Sequence, residues 1–219
     1  MNSKFKEQLT MLNSMMIKMG SRCEDAISIA IIGLLNDDEE LIERVFKIED
    51  EIDQMEKEIE TTCMKLLLNH QSADKADKKD MRIISAALKM ITDMERIGDQ
   101  AEDIAEISKY LTHNDVKNKI HLKEMAETAS RRVTDSISSF VNKNLELALN
   151  VVKEDDVLDD LFEQVKRELI DLIHEDKDNG EFCLDLLMIA KYLERIGDHA
   201  TNIGEWVEFM ITGVHNSYN

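Results

Sequence analysis

Apolar residues recur at three- and four-residue steps along most of the chain, which is the period of an α-helix buried on one face. The first such stripe runs from Leu9 to Leu34 within residues 5–35, and two more occupy residues 41–67 and 83–111. Polar stretches at residues 36–38 and 69–79 separate these segments. Such stretches favour turns. The first half is therefore predicted to contain three helices.

The polar stretch at residues 112–118 is the predicted boundary, and the helical pattern then starts again. Residues 125–140, 145–169 and 181–211 predict three further helices, with a turn at 176–180 and Gly213 as the C-terminal stop. We expect an all-α protein of six helices, arranged as two tandem three-helix bundles over residues 1–114 and 115–219.

The two halves also share a sequence motif. Glu95-Arg96-Ile97-Gly98-Asp99 recurs as Glu194-Arg195-Ile196-Gly197-Asp198, and eight of the thirteen positions aligned between residues 94–106 and 193–205 are identical. This repetition indicates duplication of a three-helix unit. Glycine inside a helix costs about 1 kcal/mol relative to alanine. Gly98 and Gly197 therefore indicate close packing of a neighbouring helix or of a liganded metal.

Acidic residues occur at a spacing that places them on one helical face. Residues four apart on a helix point the same way, and an acid-x-x-x-Asp motif occurs in each of helices two, three, five and six. Hairpins turning near Asp74 and Lys177 would bring residue 51 level with 97 and residue 157 level with 196. Four carboxylates per repeat can then converge, as hard oxygen ligands for Mg²⁺, Mn²⁺ or iron. The competing interpretation is a solvated acidic face.

Charge narrows the classes of partner. The chain carries 46 acidic and 27 basic residues, a formal net charge of -19. Such a surface repels nucleic acid and anionic lipids, so cations or basic protein surfaces are the expected partners.

Three scattered cysteines without a CxxC motif favour a reducing compartment. The longest apolar stretch, residues 26–35, is too short to span a membrane. We expect a soluble cytoplasmic protein.

Enzymatic motifs are absent from the sequence. It has no Glu-x-x-His pair of the di-iron type, no Gly-rich phosphate loop, no HExxH and no nucleophile elbow. The chain is therefore predicted not to be an enzyme, although hydrolysis by a bare metal cluster stays open as a minor alternative.

The paired Glu-Arg-Ile-Gly-Asp segments, with the two earlier acid-x-x-x-Asp motifs, resemble the PhoU family of phosphate-uptake regulators over nearly the whole chain. The resemblance implies two bundles related by pseudo-twofold symmetry, with multinuclear sites for iron, manganese or magnesium. It implies a first ligand set of Glu49, Asp53, Glu95 and Asp99, and a second of Asp155, Asp159, Glu194 and Asp198. Glu102, Asp103 and Asn202 lie near the same stripes and are additional candidates.

The resemblance also implies a function. It indicates a cytoplasmic, homodimeric accessory of the phosphate ABC transporter, which represses phosphate-starvation signalling by engaging transporter subunits and a membrane sensor kinase. Two departures stand out: residues 72–79 lack the family's proline, and Asn202 replaces the acid found at Asp103. Alternatives are a metal-independent helical scaffold and, less favoured, a metal-dependent phosphatase or metal store.

Overall fold

The computed structural model describes residues 3–71, 78–111, 117 and 120–214. Within those ranges the regular structure is entirely helical, which confirms the predicted class. The helices are α1 (Ser3–Asn36), α2 (Glu39–Gln71), α3 (Lys78–Ser108), α4 (Leu122–Asn142), α5 (Leu145–Lys153), α6 (Asp156–Glu175) and α7 (Gly180–Thr212), with a 3₁₀ turn at Lys177–Asn179 between the last two.

The first bundle consists of α1, α2 and α3, each packed on the other two. The chain reverses between α1 and α2 through Asp37, whose φ of 54° is left-handed. The Asp38 carboxylate then accepts hydrogen bonds from the amides of Glu40 and Leu41, both at 3.1 Å. This is the N-cap arrangement that leaves fewer amides unpaired at a helix start. The turn predicted at residues 36–38 is confirmed, whereas the turn near Asp74 lies outside the described residues.

The second bundle differs from the sequence prediction in one element. The fifth helix, predicted as continuous over residues 145–169, is interrupted between Lys153 and Asp156. The run Glu154-Asp155-Asp156 favours a new helix start, because acidic side chains stabilise a helix N-terminus. Helices α5 and α6 both pack on α7. Together they take the place of the predicted fifth helix, so the architecture of two three-helix bundles holds.

The end of the second bundle follows the prediction. The Asp176 side chain accepts from the amide of Asp178 at 3.0 Å in the turn before α7. Gly213 ends α7 with a φ of 77°, and its amide donates to the Phe209 carbonyl at 2.8 Å. That left-handed conformation costs a residue with a side chain more than it costs glycine.

The two bundles pack through α3 on α7 and α1 on α4, and one contiguous apolar core runs through both. Helices α3 and α7 are antiparallel, since Lys89 lies over the Trp206 ring at 5.8 Å while Asp93 contacts His199 at 3.0 Å. The predicted boundary between residues 114 and 115 lies outside the described residues. None of the described helices is long and apolar enough to cross a membrane.

Each of the motif glycines, Gly98 and Gly197, is covered by an aliphatic side chain of the preceding helix. A Cβ at position 98 would lie 3.1 Å from Cδ1 of Ile52, and one at position 197 would collide with Cδ1 of Leu158. Close helix packing therefore accounts for both glycines. The contacts place α2 against α3, and α6 against α7, at the level of the acid-x-x-x-Asp motifs.

Candidate metal centres

Glu49, Asp53, Glu95 and Asp99 form what we term the first carboxylate cluster, shared between α2 and α3. Ile52, which packs on Gly98, lies between the two acids contributed by α2. Glu49 and Asp53 therefore face the two acids that flank Gly98 on α3. The hairpin geometry predicted from the spacing brings the two motifs opposite each other.

Glu49 shows the electrostatic consequence most clearly. Partial burial raises the pKa of this carboxyl from 4.5 to about 7, and repulsion from Glu102, Asp53, Asp50 and Asp99 adds to that effect. The acids that repel Glu49 belong to both α2 and α3, as expected if the two motifs face each other across the hairpin. Within the described part of the chain, Glu49 makes no ion pair.

The other members of the first cluster have basic neighbours at the surface. Arg96 contacts Glu95 at 3.4 Å and Asp99 at 3.0 Å, and Lys57 contacts Asp53 at 3.4 Å. These bases are 55% and 64% exposed, so water screens much of their attraction. Burial, followed by repulsion from Asp99, still raises the pKa of Glu95.

The two additional candidates of the first repeat, Glu102 and Asp103, have different surroundings. Glu102 belongs with the first cluster: burial raises its pKa, and repulsion from Asp99 and Asp50 adds to the shift. Asp103 lies closer to the second bundle. Its pKa is raised by burial and by Asp99, while the Arg195 guanidinium opposes that shift.

Asp155, Asp159, Glu194 and Asp198 form the second carboxylate cluster, between α6 and α7. Burial raises the pKa of Asp198 to about 6, and repulsion from Glu194, Asp155 and Asp159 contributes. Burial and repulsion from Glu194 also raise the pKa of Asp159. All four predicted residues of this repeat thus interact electrostatically.

Two members of the second cluster are already bound by side chains of the protein. Asp155 Oδ1 accepts from the Arg132 guanidinium at 3.2 Å and from the Thr201 hydroxyl at 2.6 Å. Glu194 forms an ion pair with Lys191 one turn away. Neither Arg132 nor Thr201 was predicted to contribute. The sequence does contain a sign of the role of Arg132. This residue borders the apolar stripe of α4 through Ala129 and Val133, a position where its charge must be buried.

The candidate Asn202 points to the junction of the bundles. Its side-chain amide donates to Asp93 Oδ1 at 3.0 Å, and the same oxygen contacts His199 Nδ1 at 3.0 Å. Asp93 belongs to α3, so Asn202 ties α7 to the first bundle.

The carboxylates repel one another without being gathered around a single point. Among the residues that the structure describes, no three or more His, Cys, Asp and Glu side chains are arranged to hold one ion. The donors are hard oxygens in both clusters, the chemistry that Mg²⁺, Mn²⁺ and iron accept. Binding would require the flexible Glu and Asp side chains to converge further.

The raised pKa of Glu49 predicts how the metal-free chain responds to pH. Its pKa is about 7 in the folded chain and ordinarily 4.5, so the folded state binds the proton more tightly than the unfolded state. The free energy of unfolding should therefore fall as pH rises through this window. Urea unfolding of EDTA-treated protein at about pH 5 and about pH 8 would measure the trend.

Glu49→Gln is the control for that prediction, since the amide has no proton to lose and the pH dependence should flatten. Excess Mn²⁺ should also weaken it, because a metal binds the deprotonated carboxylate. Metal-free protein that gained stability over this pH range, with the same slope in Glu49→Gln, would contradict the assigned cause.

Comparison with known proteins finds relatives of similar length. The PhoU domain family matches residues 16–108 and 122–207, one match in each bundle. A protein of Clostridium acetobutylicum described as a phosphate-specific transport system accessory protein PhoU homolog is 36% identical over 212 residues, which cover 95% of this chain and 94% of that protein.

A second relative and a solved structure agree with this match. The PhoU homolog 1 of Thermotoga maritima, described in the same words, is 32% identical over 211 residues, covering 95% of this chain and 89% of that protein. The crystal structure of PhoU from Pseudomonas aeruginosa is similar with a TM-score of 0.85 and 28% identity, covering 96% of this chain and all of that one.

Proposed function

The chain belongs to the PhoU family, and from that premise we propose that it is a metal-binding accessory protein that represses phosphate-starvation signalling. The observation that carries this proposal is the match of both bundles to one family domain, with a carboxylate cluster in each. The family's relatives are regulatory and accessory proteins, and the prediction that the chain is not an enzyme is confirmed.

The metal part of the proposal rests on the first carboxylate cluster. Glu49 is partly buried, surrounded by other acids and without an ion pair among the described residues. Carboxylates that are held close together repel one another, and a bound cation relieves that repulsion. Glu49, Asp53, Glu95 and Asp99 would hold iron, manganese or magnesium, with Glu102 at the edge. The bound ion would supply the positive charge that the cluster lacks.

The partners of the proposal are the phosphate ABC transporter and a membrane sensor kinase. The Clostridium relative is described as an accessory protein of a phosphate-specific transport system. The net charge of -19 suits basic surfaces on such partners. We place the chain in the cytoplasm, as a homodimer.

Affinity capture of the tagged chain from phosphate-replete and phosphate-starved cells tests the partners. We expect transporter subunits and the sensor kinase to be recovered from replete cells and depleted from starved ones. Deletion of the gene should then switch on a phosphate-starvation reporter in replete medium. Normal repression in the deletion strain would contradict the regulatory role, whatever the metal content.

A metal-independent scaffold is the second candidate, and one observation favours it: the described carboxylates are not gathered around an ion. In that case the acidic faces would dock on the partners directly. Asp99→Asn separates the two, because it removes a proposed ligand and leaves most of the acidic surface in place. Loss of repression favours the metal site, and full repression by this variant favours the scaffold.

A further inference from the structure

The two carboxylate clusters differ in whether a buried cation stands among them. Arg132 on α4 is 1% exposed and reaches the second cluster, where its guanidinium donates to Asp155 Oδ1 at 3.2 Å. The same guanidinium donates to the carbonyls of Val151 at 3.1 Å and Asp155 at 3.2 Å. It therefore occupies the break between α5 and α6 and neutralises one acid of the cluster.

Among residues 3–71, 78–111, 117 and 120–214, the first cluster has no counterpart of this arrangement. Helix α1 also carries an arginine that reaches the following rod, but Arg22 is 33% exposed and contacts Glu51 at 2.9 Å. Glu51 is not among the four acids of the first cluster. The bases that do contact the cluster, Arg96 and Lys57, lie at the surface. A buried charge is screened far less than an exposed one, so Arg132 compensates its cluster more strongly.

The second repeat has also lost acids around its cluster. In the aligned motifs, Thr201 stands where the first repeat has Glu102, and Asn202 stands where it has Asp103. The Thr201 hydroxyl binds Asp155, which makes Thr201 part of the Arg132 contact. Fewer carboxylates remain for an ion, and one of these, Asp155, is bound by the buried guanidinium.

We propose that Arg132 is the resident cation of the second carboxylate cluster, so that this cluster binds fewer metal ions than the first. The inference rests on the proposed metal binding and goes beyond it. The two sites are then not equivalent: the first changes its charge with metal supply, and the second is held in a fixed state by the protein itself.

Mn²⁺ binding to the metal-stripped, full-length chain tests this inference, with free Mn²⁺ counted by electron paramagnetic resonance. Asp99→Asn should remove more than half of the bound Mn²⁺, and Asp198→Asn should remove only a small part. Arg132→Met should raise the bound Mn²⁺ by about one ion per chain, because it leaves Asp155 without its cation. Arg22→Met is the matched control and should leave the number of ions unchanged.

The outcomes separate the inference from the proposal beneath it. Equal losses in Asp99→Asn and Asp198→Asn would overturn the inference while metal binding stands. No binding by the wild-type chain would overturn both. The comparison of these two variants needs no Arg132 substitution, so it decides the question even if Arg132→Met fails to fold. If Arg132→Met folds and binds no additional Mn²⁺, the role of the arginine is overturned.

Discussion

Removal of metal with EDTA should lower the melting temperature of the purified chain by roughly 5–10 °C relative to the same protein in excess Mn²⁺. A ligand at 100 times its Kd stabilises the folded state by about 2.7 kcal/mol. For a protein of about 200 residues, 1 kcal/mol corresponds to roughly 2–4 °C. The physical cause is relief of repulsion at Glu49 and Glu95, whose pKa values are raised in the metal-free chain. Differential scanning calorimetry measures the shift.

Two controls separate specific binding from screening by salt. NaCl at matched ionic strength should reproduce little of the stabilisation, because a carboxylate cluster that is only screened by monovalent ions gains much less stability than one that binds Mn²⁺. Asp99→Asn should lose most of the Mn²⁺ effect while keeping its response to NaCl. Equal melting temperatures in EDTA and Mn²⁺ would contradict metal binding by the folded chain.

Truncation of the two aliphatic side chains that cover the motif glycines should have the largest effect on stability. Ile52 is fully buried, Leu158 is 1% exposed, and each packs against a glycine. Ile52→Ala and Leu158→Ala should each reduce the free energy of unfolding by about 2–5 kcal/mol, because a glycine opposite cannot fill the cavity. Urea unfolding measures the loss, and Val157→Ala, at a position 39% exposed, should change it by less than about 0.5 kcal/mol.

The same pair of variants also tests how packing positions the carboxylates. Ile52 lies between Glu49 and Asp53, so Ile52→Ala should weaken Mn²⁺ binding at the first cluster in the fraction that remains folded. Leu158→Ala should leave that cluster largely intact. An equal weakening by both variants, or a loss of stability no larger than that of Val157→Ala, would contradict the role assigned to these contacts.

The helical rods were predictable because the signal for them is local. A buried stripe repeats every three to four residues, and the turns at 36–38 and 176–180 carry residues that cap helices, as Asp38 and Asp176 do. Counting the residues between each motif and the turn predicted that the paired motifs lie opposite each other in each hairpin. The Ile52–Gly98 and Leu158–Gly197 contacts agree with that count to within two residues.

The break between α5 and α6 was not predicted, because its cause is partly tertiary. The apolar stripe continues through the break, so periodicity alone indicates one helix. What differs is that Arg132, on another helix, binds the carbonyls of Val151 and Asp155. The run of acids at residues 154–156 is a local signal for a new N-terminus and was available in the sequence.

The charge balance of the two clusters was only partly predictable from the sequence. Asn202 in place of Asp103 already indicates that the two sites need not be equally charged. Only the structure shows that a buried arginine bonds to Asp155 while Glu49 makes no ion pair within the described residues. The link to phosphate has a different origin: no charge or spacing indicates it, and it follows from membership of the family.

Elemental analysis of the protein isolated from its own cells tests the central claim most directly, with the Asp99→Asn/Asp198→Asn double variant purified in parallel. We predict that the wild-type chain carries iron, manganese or magnesium in at least about a one-to-one ratio and that the double variant has lost most of it. A wild-type chain isolated without metal, yet still able to capture the transporter from phosphate-replete cells, would contradict the claim and leave the acidic faces as a metal-independent docking surface.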